Sequence, residues 1–196
     1  MKVYLKSLAG WTPDGLDHQE TGERRWGFNI AKLLAKAGHD VTIAQAIMLG
    51  GENTIAPYNI KITADAKLSD LDASDFQAVV LPGGMPGAMN LRNSDELMKF
   101  TCSLYANGGI VAAICAAPIA LAKFGLLEGK KITAYPGFEE YLNGNAPTGR
   151  MTESDDRIVT GKGVGAAFEF ATRIAEALGK GDRVKKVFDG MFVEVT

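Results

Sequence analysis

Two periods of apolar residues alternate along this 196-residue chain. Runs that are apolar at nearly every position predict buried strands over residues 3–8, 41–46, 78–81 and 109–114. Residues 60–64 alternate and predict a short extra strand, and 131–134, 151–152 and 157–160 predict three more. Between the strands the apolar positions fall at helical spacing. Trp26, Ile30, Leu33 and Leu34 mark a helix over residues 25–37 that stops at Gly38, a C-cap. Ser94 caps a helix with Leu97, Met98 and Leu104 on its apolar side. Residues 165–178 form an amphipathic helix and 182–188 a shorter one. Strands and helices alternating through short links predict an α/β protein, a parallel sheet with helices on both faces. No repeat, low-complexity segment or linker divides the chain, so residues 1–196 read as a single domain.

Composition narrows the function classes. The chain is 46% hydrophobic and 22% charged, with a net charge of −2. Charges of both signs are interspersed and form no basic stripe, so nucleic acid is not an expected partner. No apolar run reaches the ~18 residues of a membrane span. The opening "MKVYLKSLAGW" reads as a first strand, not a signal peptide. Cys102 and Cys115 make a poor disulfide framework, which points to a reducing cytoplasm. Two histidines and two cysteines lie scattered without ligand spacing, so no metal site is expected, and no motif calls for a cofactor. Gly161-Lys162-Gly163-Val164-Gly165 lacks the ending and spacing of a phosphate loop and reads as a strand-to-helix turn.

Ligands of parallel α/β folds bind at the carboxyl ends of strands. Pro82-Gly83-Gly84 and Cys115 both fall there. With a strand over 110–114 and a helix over 117–124, Cys115 occupies a sharp turn between the two, the geometry of a nucleophile elbow. Its neighbours are alanines, which leaves room for a tight turn. The N–H groups at the start of the following helix favour thiolate over thiol. On spacing alone, a reactive cysteine and an inert core cysteine both fit. Cys102 lies within a helix and reads as structural, or as a slow secondary oxidation site.

From about Tyr58 to its end the chain resembles the ThiJ/PfpI (DJ-one-like) superfamily. The resemblance rests on Val79-Val80-Leu81-Pro82-Gly83-Gly84, Pro86-Gly87-Ala88-Met89-Asn90-Leu91 and Ala112-Ala113-Ile114-Cys115-Ala116-Ala117-Pro118. Tyr135-Pro136-Gly137-Phe138-Glu139, Thr160-Gly161 and Gly165-Ala166-Ala167-Phe168-Glu169-Phe170-Ala171 follow in the family's order. It implies a flavodoxin-like, Rossmann-like three-layer sandwich with a mostly parallel sheet. It also implies a nucleophilic, oxidisable Cys115 and an oxyanion pocket built from the N–H groups of Gly84 and Ala116. The implied activity is glutathione-independent conversion of oxoaldehydes to hydroxy acids, or deglycation of glycated protein. Oxidative-stress sensing and chaperoning are the non-catalytic alternatives, and a homodimer is implied. Where many members carry a histidine this chain has Tyr135, which donates a hydrogen bond but is a poor base at neutral pH. Class I glutamine amidotransferases use a similar elbow with a downstream histidine. His18 and His39 both precede Cys115, which argues against that class.

The first 45 residues are atypical of that superfamily. Its glutamate, on the loop after strand one, has no clear counterpart: counting back from Gly38 reaches Trp26, and counting forward reaches Leu16 or Asp17. The long loop over residues 10–22 carries Asp14, Asp17, His18 and Glu20, with Glu23 just beyond. Asp17 and Glu20 are the candidates for the missing acid; the alternative is that all are solvated loop charges. Gly22-Glu23-Arg24-Arg25 and Leu34-Ala35-Lys36-Ala37-Gly38-His39-Asp40-Val41 resemble the opening of a GT-B glycosyltransferase. The length leaves no room for that class's second domain, so no transferase activity is inferred. A chimera follows as a hypothesis, a foreign βαβ unit over residues 1–45 joined to a family-like core over 46–196. A chimera that kept the fold without the chemistry is a third functional alternative.

Overall fold

The computed structural model describes four strands, β1 (Lys2–Leu5), β2 (Asp40–Gln45), β3 (Asn53–Ala56) and β4 (Ile60–Thr63), together with all residues from 66 to 190. The later strands are β5 (Ala66–Lys67), β6 (Ala78–Leu81), β7 (Ile110–Ile114), β8 (Thr152–Asp155) and β9 (Ile158–Gly161). The helices are α1 (Gly87–Arg92), α2 (Asp95–Ala106), α3 (Pro118–Lys123), α4 (Ala167–Ala177) and α5 (Gly181–Asp189). Seven strands form one sheet in the order β5-β2-β1-β6-β7-β9-β8, all pairs parallel except the β8–β9 edge. Strands β3 and β4 form a separate antiparallel hairpin.

The apolar runs of β6 and β7 are buried throughout, as strands covered on both faces must be. Their side chains divide by period two. Val79, Leu81, Val111 and Ala113 pack with Leu91, Leu97, Leu104, Ile119 and Leu121 of α1, α2 and α3. Ala78, Val80, Ile110, Ala112 and Ile114 pack with Val159 and with Phe170 and Ile174 of α4. Helix α5 closes the second layer, with Phe188 edge-on to Phe168 at 5.8 Å between ring centres. Ser94 caps α2 as expected, accepting the Leu97 N–H at 3.0 Å.

Several boundaries differ from the sequence pattern. Residues 131–134 form no strand. Ile132 makes a single bridge to Pro147, and the next N–H, that of Thr133, goes to the Thr160 side chain at 2.9 Å, so no ladder propagates. The expected strand at 151–152 is Thr152–Asp155, antiparallel to β9. The amphipathic run from 165 begins as a 3-10 turn over Val164–Ala166 before α4. The hairpin strand β3, the short β5 and helix α1 have no counterpart in the pattern reading. The expected helix over 25–37 lies outside the described residues.

Candidate functional site

Cys115 follows the last residue of β7 with φ of +63°, the left-handed region. A non-glycine residue held there costs about 1–2 kcal/mol and persists only where its surroundings enforce it. They do so from three sides. The Cys115 N–H donates to the Gly161 carbonyl at the end of β9, at 2.8 Å. Its carbonyl accepts the Tyr135 N–H at 2.9 Å. On the β6 side Gly83 comes so close that a Cβ there would lie 2.5 Å from Cys115 Cβ and 3.1 Å from the Ala116 nitrogen. A Cβ on Gly161 would lie 2.9 Å from Ile114 Cγ1 and 3.1 Å from Phe170 Cδ2. Only glycine allows β6 and β9 to approach the elbow in this way. The Cys115 side chain ends up 5% exposed.

The N–H groups around the turn are not equivalent. Ala117 donates to the Ile114 carbonyl at 3.1 Å and so is already used. Neither Gly84 nor Ala116 donates to a backbone carbonyl among the described residues. These are the two N–H groups named for an oxyanion pocket. Helix α3 is shorter than expected, six residues with Pro118 at its start, so any electrostatic help for the sulfur comes from these local N–H groups more than from a long dipole.

Of the residues singled out in the sequence, the structure brings Cys115, Ala116, the Gly83-Gly84 turn and Tyr135 to one place. Tyr135 is held there by its backbone, while its ring is 47% exposed and edge-on to Phe138 at 6.4 Å. Asp17 and Glu20 lie outside the described residues. Pattern reasoning passed over the steric role of Gly83 and Gly161. Both stand in the quoted motifs, but a motif does not say which glycine faces the cysteine. Cys102 is remote in role: its thiol sits 3.8 Å from the Phe124 carbonyl, and burial raises its pKa. No group of three or more His, Cys, Asp or Glu suited to a metal occurs among the described residues, and no helix among them is long and apolar enough to cross a membrane.

A parallel α/β sandwich with a cysteine on a strained elbow at the carboxyl edge of its sheet defines a class of cysteine-elbow proteins. Within that class the chain belongs to the DJ-1/PfpI family, whose model matches residues 26–177. It is 36% identical over 165 residues to protein dj-1beta of Drosophila melanogaster, covering 83% of this chain and 87% of the fly protein. It is 41% identical over 149 residues to DJ-1 homolog A of Arabidopsis thaliana, where it spans 38% of a longer protein. The crystal structure of Drosophila DJ-1beta superimposes with a TM-score of 0.79 at 34% identity, over 99% of this chain and 97% of that one. The oxidized form of Toxoplasma gondii DJ-1 superimposes with a TM-score of 0.81 at 27% identity, over 99% of this chain and 98% of that one.

Proposed function

We propose that the chain is a cysteine-dependent glyoxalase that converts 2-oxoaldehydes to 2-hydroxy acids without glutathione. The observation that carries this reading is the left-handed Cys115, fixed at both its N–H and its carbonyl beside two N–H groups that have no backbone acceptor among the described residues. The Cys115 thiolate adds to the aldehyde carbon, forming a C–S bond, while the carbonyl electron pair moves to oxygen and is met by the Gly84 and Ala116 N–H groups. The hydrogen on that carbon then leaves as a proton, and a proton is delivered to the neighbouring ketone carbon. The first carbon is thereby oxidised to a thioester and the second reduced to an alcohol, so no outside oxidant is required. Water cleaves the thioester, giving the hydroxy acid and the thiol. The proton carrier is assigned to a first-loop carboxylate, Asp17 or Glu20, with the Tyr135 hydroxyl as a hydrogen-bond donor. A glycated protein, which carries the oxoaldehyde as a hemiaminal on nitrogen where the enzyme adduct is a hemithioacetal on sulfur, is the related substrate.

The test is lactate formation from methylglyoxal with no thiol cofactor added. We expect turnover by the wild type and a loss of at least about 100-fold in Cys115→Ser, the range of a removed catalytic group. Lactate formation undiminished in Cys115→Ser overturns the reading. A second reading, a redox sensor in which Cys115 takes up oxygen but turns nothing over, is supported by the oxidized state of the Toxoplasma neighbour. It predicts no lactate from either protein and peroxide-dependent oxygen addition at Cys115 in the wild type. DJ-1 family proteins are often dimers, and we extend homodimerisation to this chain. Its two thiol cysteines support a cytoplasmic setting.

A further inference from the structure

Four large apolar side chains among the described residues are strongly exposed: Met85 (38%), Tyr135 (47%), Met151 (44%) and Val164 (38%). All four lie at the end of the sheet that carries Cys115. Met85 follows the Gly83-Gly84 turn that abuts the elbow. Tyr135 donates its N–H to the Cys115 carbonyl. Val164 stands just past Gly161, whose own carbonyl holds the Cys115 N–H. Met151 precedes β8, and its carbonyl accepts the Lys162 N–H at 2.9 Å, which brings it to the same edge. Contacts join them further. A Cβ on Gly163 would touch the Tyr135 ring at 3.4 Å, and one on Gly165 would touch Met151 Cε at 3.4 Å. The glycines thus let two of the four side chains lie over the backbone between them.

The charges beside this rim are of mixed sign, and Arg150, next to Met151, is 76% exposed with its nearest carboxylate, Glu153, 4.0 Å away. The Lys162 ammonium donates to the Gly149 carbonyl at 3.1 Å. Both Glu139 carboxylate oxygens accept the Gly137 N–H, at 3.1 and 3.0 Å, and its own backbone N–H followed by that of Gly137 holds the carboxyl below its ordinary range. A negative substrate would meet the Glu139 carboxylate as well as the Lys162 and Arg150 cations, so net charge selects no substrate here. An apolar one would cover side chains otherwise left in water.

The geometry points to oxoaldehydes bearing an aromatic or branched apolar group as the preferred substrates, with the group lying on Tyr135, Val164 and Met151 while Cys115 takes the aldehyde. This rests on the glyoxalase reading above. One added methylene in an apolar site is worth roughly 10–200-fold in kcat/KM. For a half-open rim we expect phenylglyoxal to exceed methylglyoxal by about tenfold in kcat/KM. The pair Val164→Ser with Met151→Ser should move that ratio at least about fivefold toward methylglyoxal.

Turnover with methylglyoxal equal to or above phenylglyoxal overturns the inference and leaves the glyoxalase reading standing. If neither aldehyde is turned over, the glyoxalase reading fails and the rim is judged by chemistry that needs no catalysis. Alkylation of Cys115 by N-benzyl-2-chloroacetamide is then compared with 2-chloroacetamide, each normalised to Cys102 by mass spectrometry. A normalised ratio of about ten or more that falls in the double variant sustains an apolar rim at the thiol. A ratio near one, unchanged by the substitutions, overturns it.

Discussion

Gly83 matters because of the space its missing side chain leaves. The Cβ of an alanine there would stand 2.5 Å from Cys115 Cβ and 2.9 Å from the Ile114 carbonyl oxygen. Both are fixed groups, one on a strained residue and one on the backbone of a central strand. Gly83→Ala therefore forces the elbow or the β6 turn to shift. We expect a loss of about 1–3 kcal/mol in urea unfolding, the usual cost of overpacking. Cys115 alkylation in the folded protein should change in rate as well. The same substitution at Gly84, where φ is +93°, strains the backbone. Gly83→Ala measures crowding of the thiol, and Gly84→Ala measures the turn.

At the level of elements, α4 holds the site from below. Phe170 is fully buried, packs in the cluster that contains Ile114 and Cys115, and its ring comes within 3.1 Å of where a Gly161 Cβ would stand. Phe170→Ala is expected to cost about 3–5 kcal/mol in equilibrium unfolding. At the opposite end of the sheet the β8–β9 turn is held by charge. The Tyr105 hydroxyl donates to Asp156 at 2.6 Å, the Arg157 guanidinium lies 4.2 Å from the Tyr105 ring centre, and Lys130 stands 3.6 Å from Asp156. The Tyr105 hydrogen bond foremost, then Arg157 and Lys130, hold the Asp156 carboxyl below its ordinary value of 3.8 against the opposing effect of burial. A lowered folded-state pKa means stabilisation that is present above the ordinary carboxylate range and lost as pH falls through the folded value. Thermal unfolding of wild type and Asp156→Asn should thus differ at about pH 5 and above and converge toward about pH 2. A constant offset across that range would place the effect elsewhere. Because the group is exposed, the offset itself is expected to be small.

For the whole molecule, the strand–helix alternation carried the fold class, and the elbow could be read from the apolar run ending in Cys115 followed by Pro118. Strand β6 was legible to the residue, since four consecutive apolar positions run straight into Pro82-Gly83-Gly84. Elements held by side-chain bonds were not legible. The 131–134 segment looks like a strand locally, yet the Thr133 to Thr160 bond sets its path, and that bond depends on a partner far along the chain. Nor does a one-dimensional pattern show that β8 runs antiparallel, or that Met85, Tyr135, Met151 and Val164 share one edge. The acid partner proposed for Cys115 was the least legible feature, because the sequence over residues 10–22 offers several carboxylates at no fixed spacing from the family's glutamate. Asp17 and Glu20 remain the residues proposed for it.

We propose that the strained elbow makes Cys115 a reactive thiolate. The direct test is the rate of iodoacetamide alkylation at Cys115 across pH 5–9 in the folded protein, read peptide by peptide, with Cys102 as the reference. Cys102 is an apt reference because burial holds its thiol protonated to higher pH. At pH 7 we expect Cys115 to react at least about tenfold faster than Cys102, as a thiolate-forming site does. Equal rates, or a slower Cys115, would contradict it and leave the strained elbow as a feature of the fold alone.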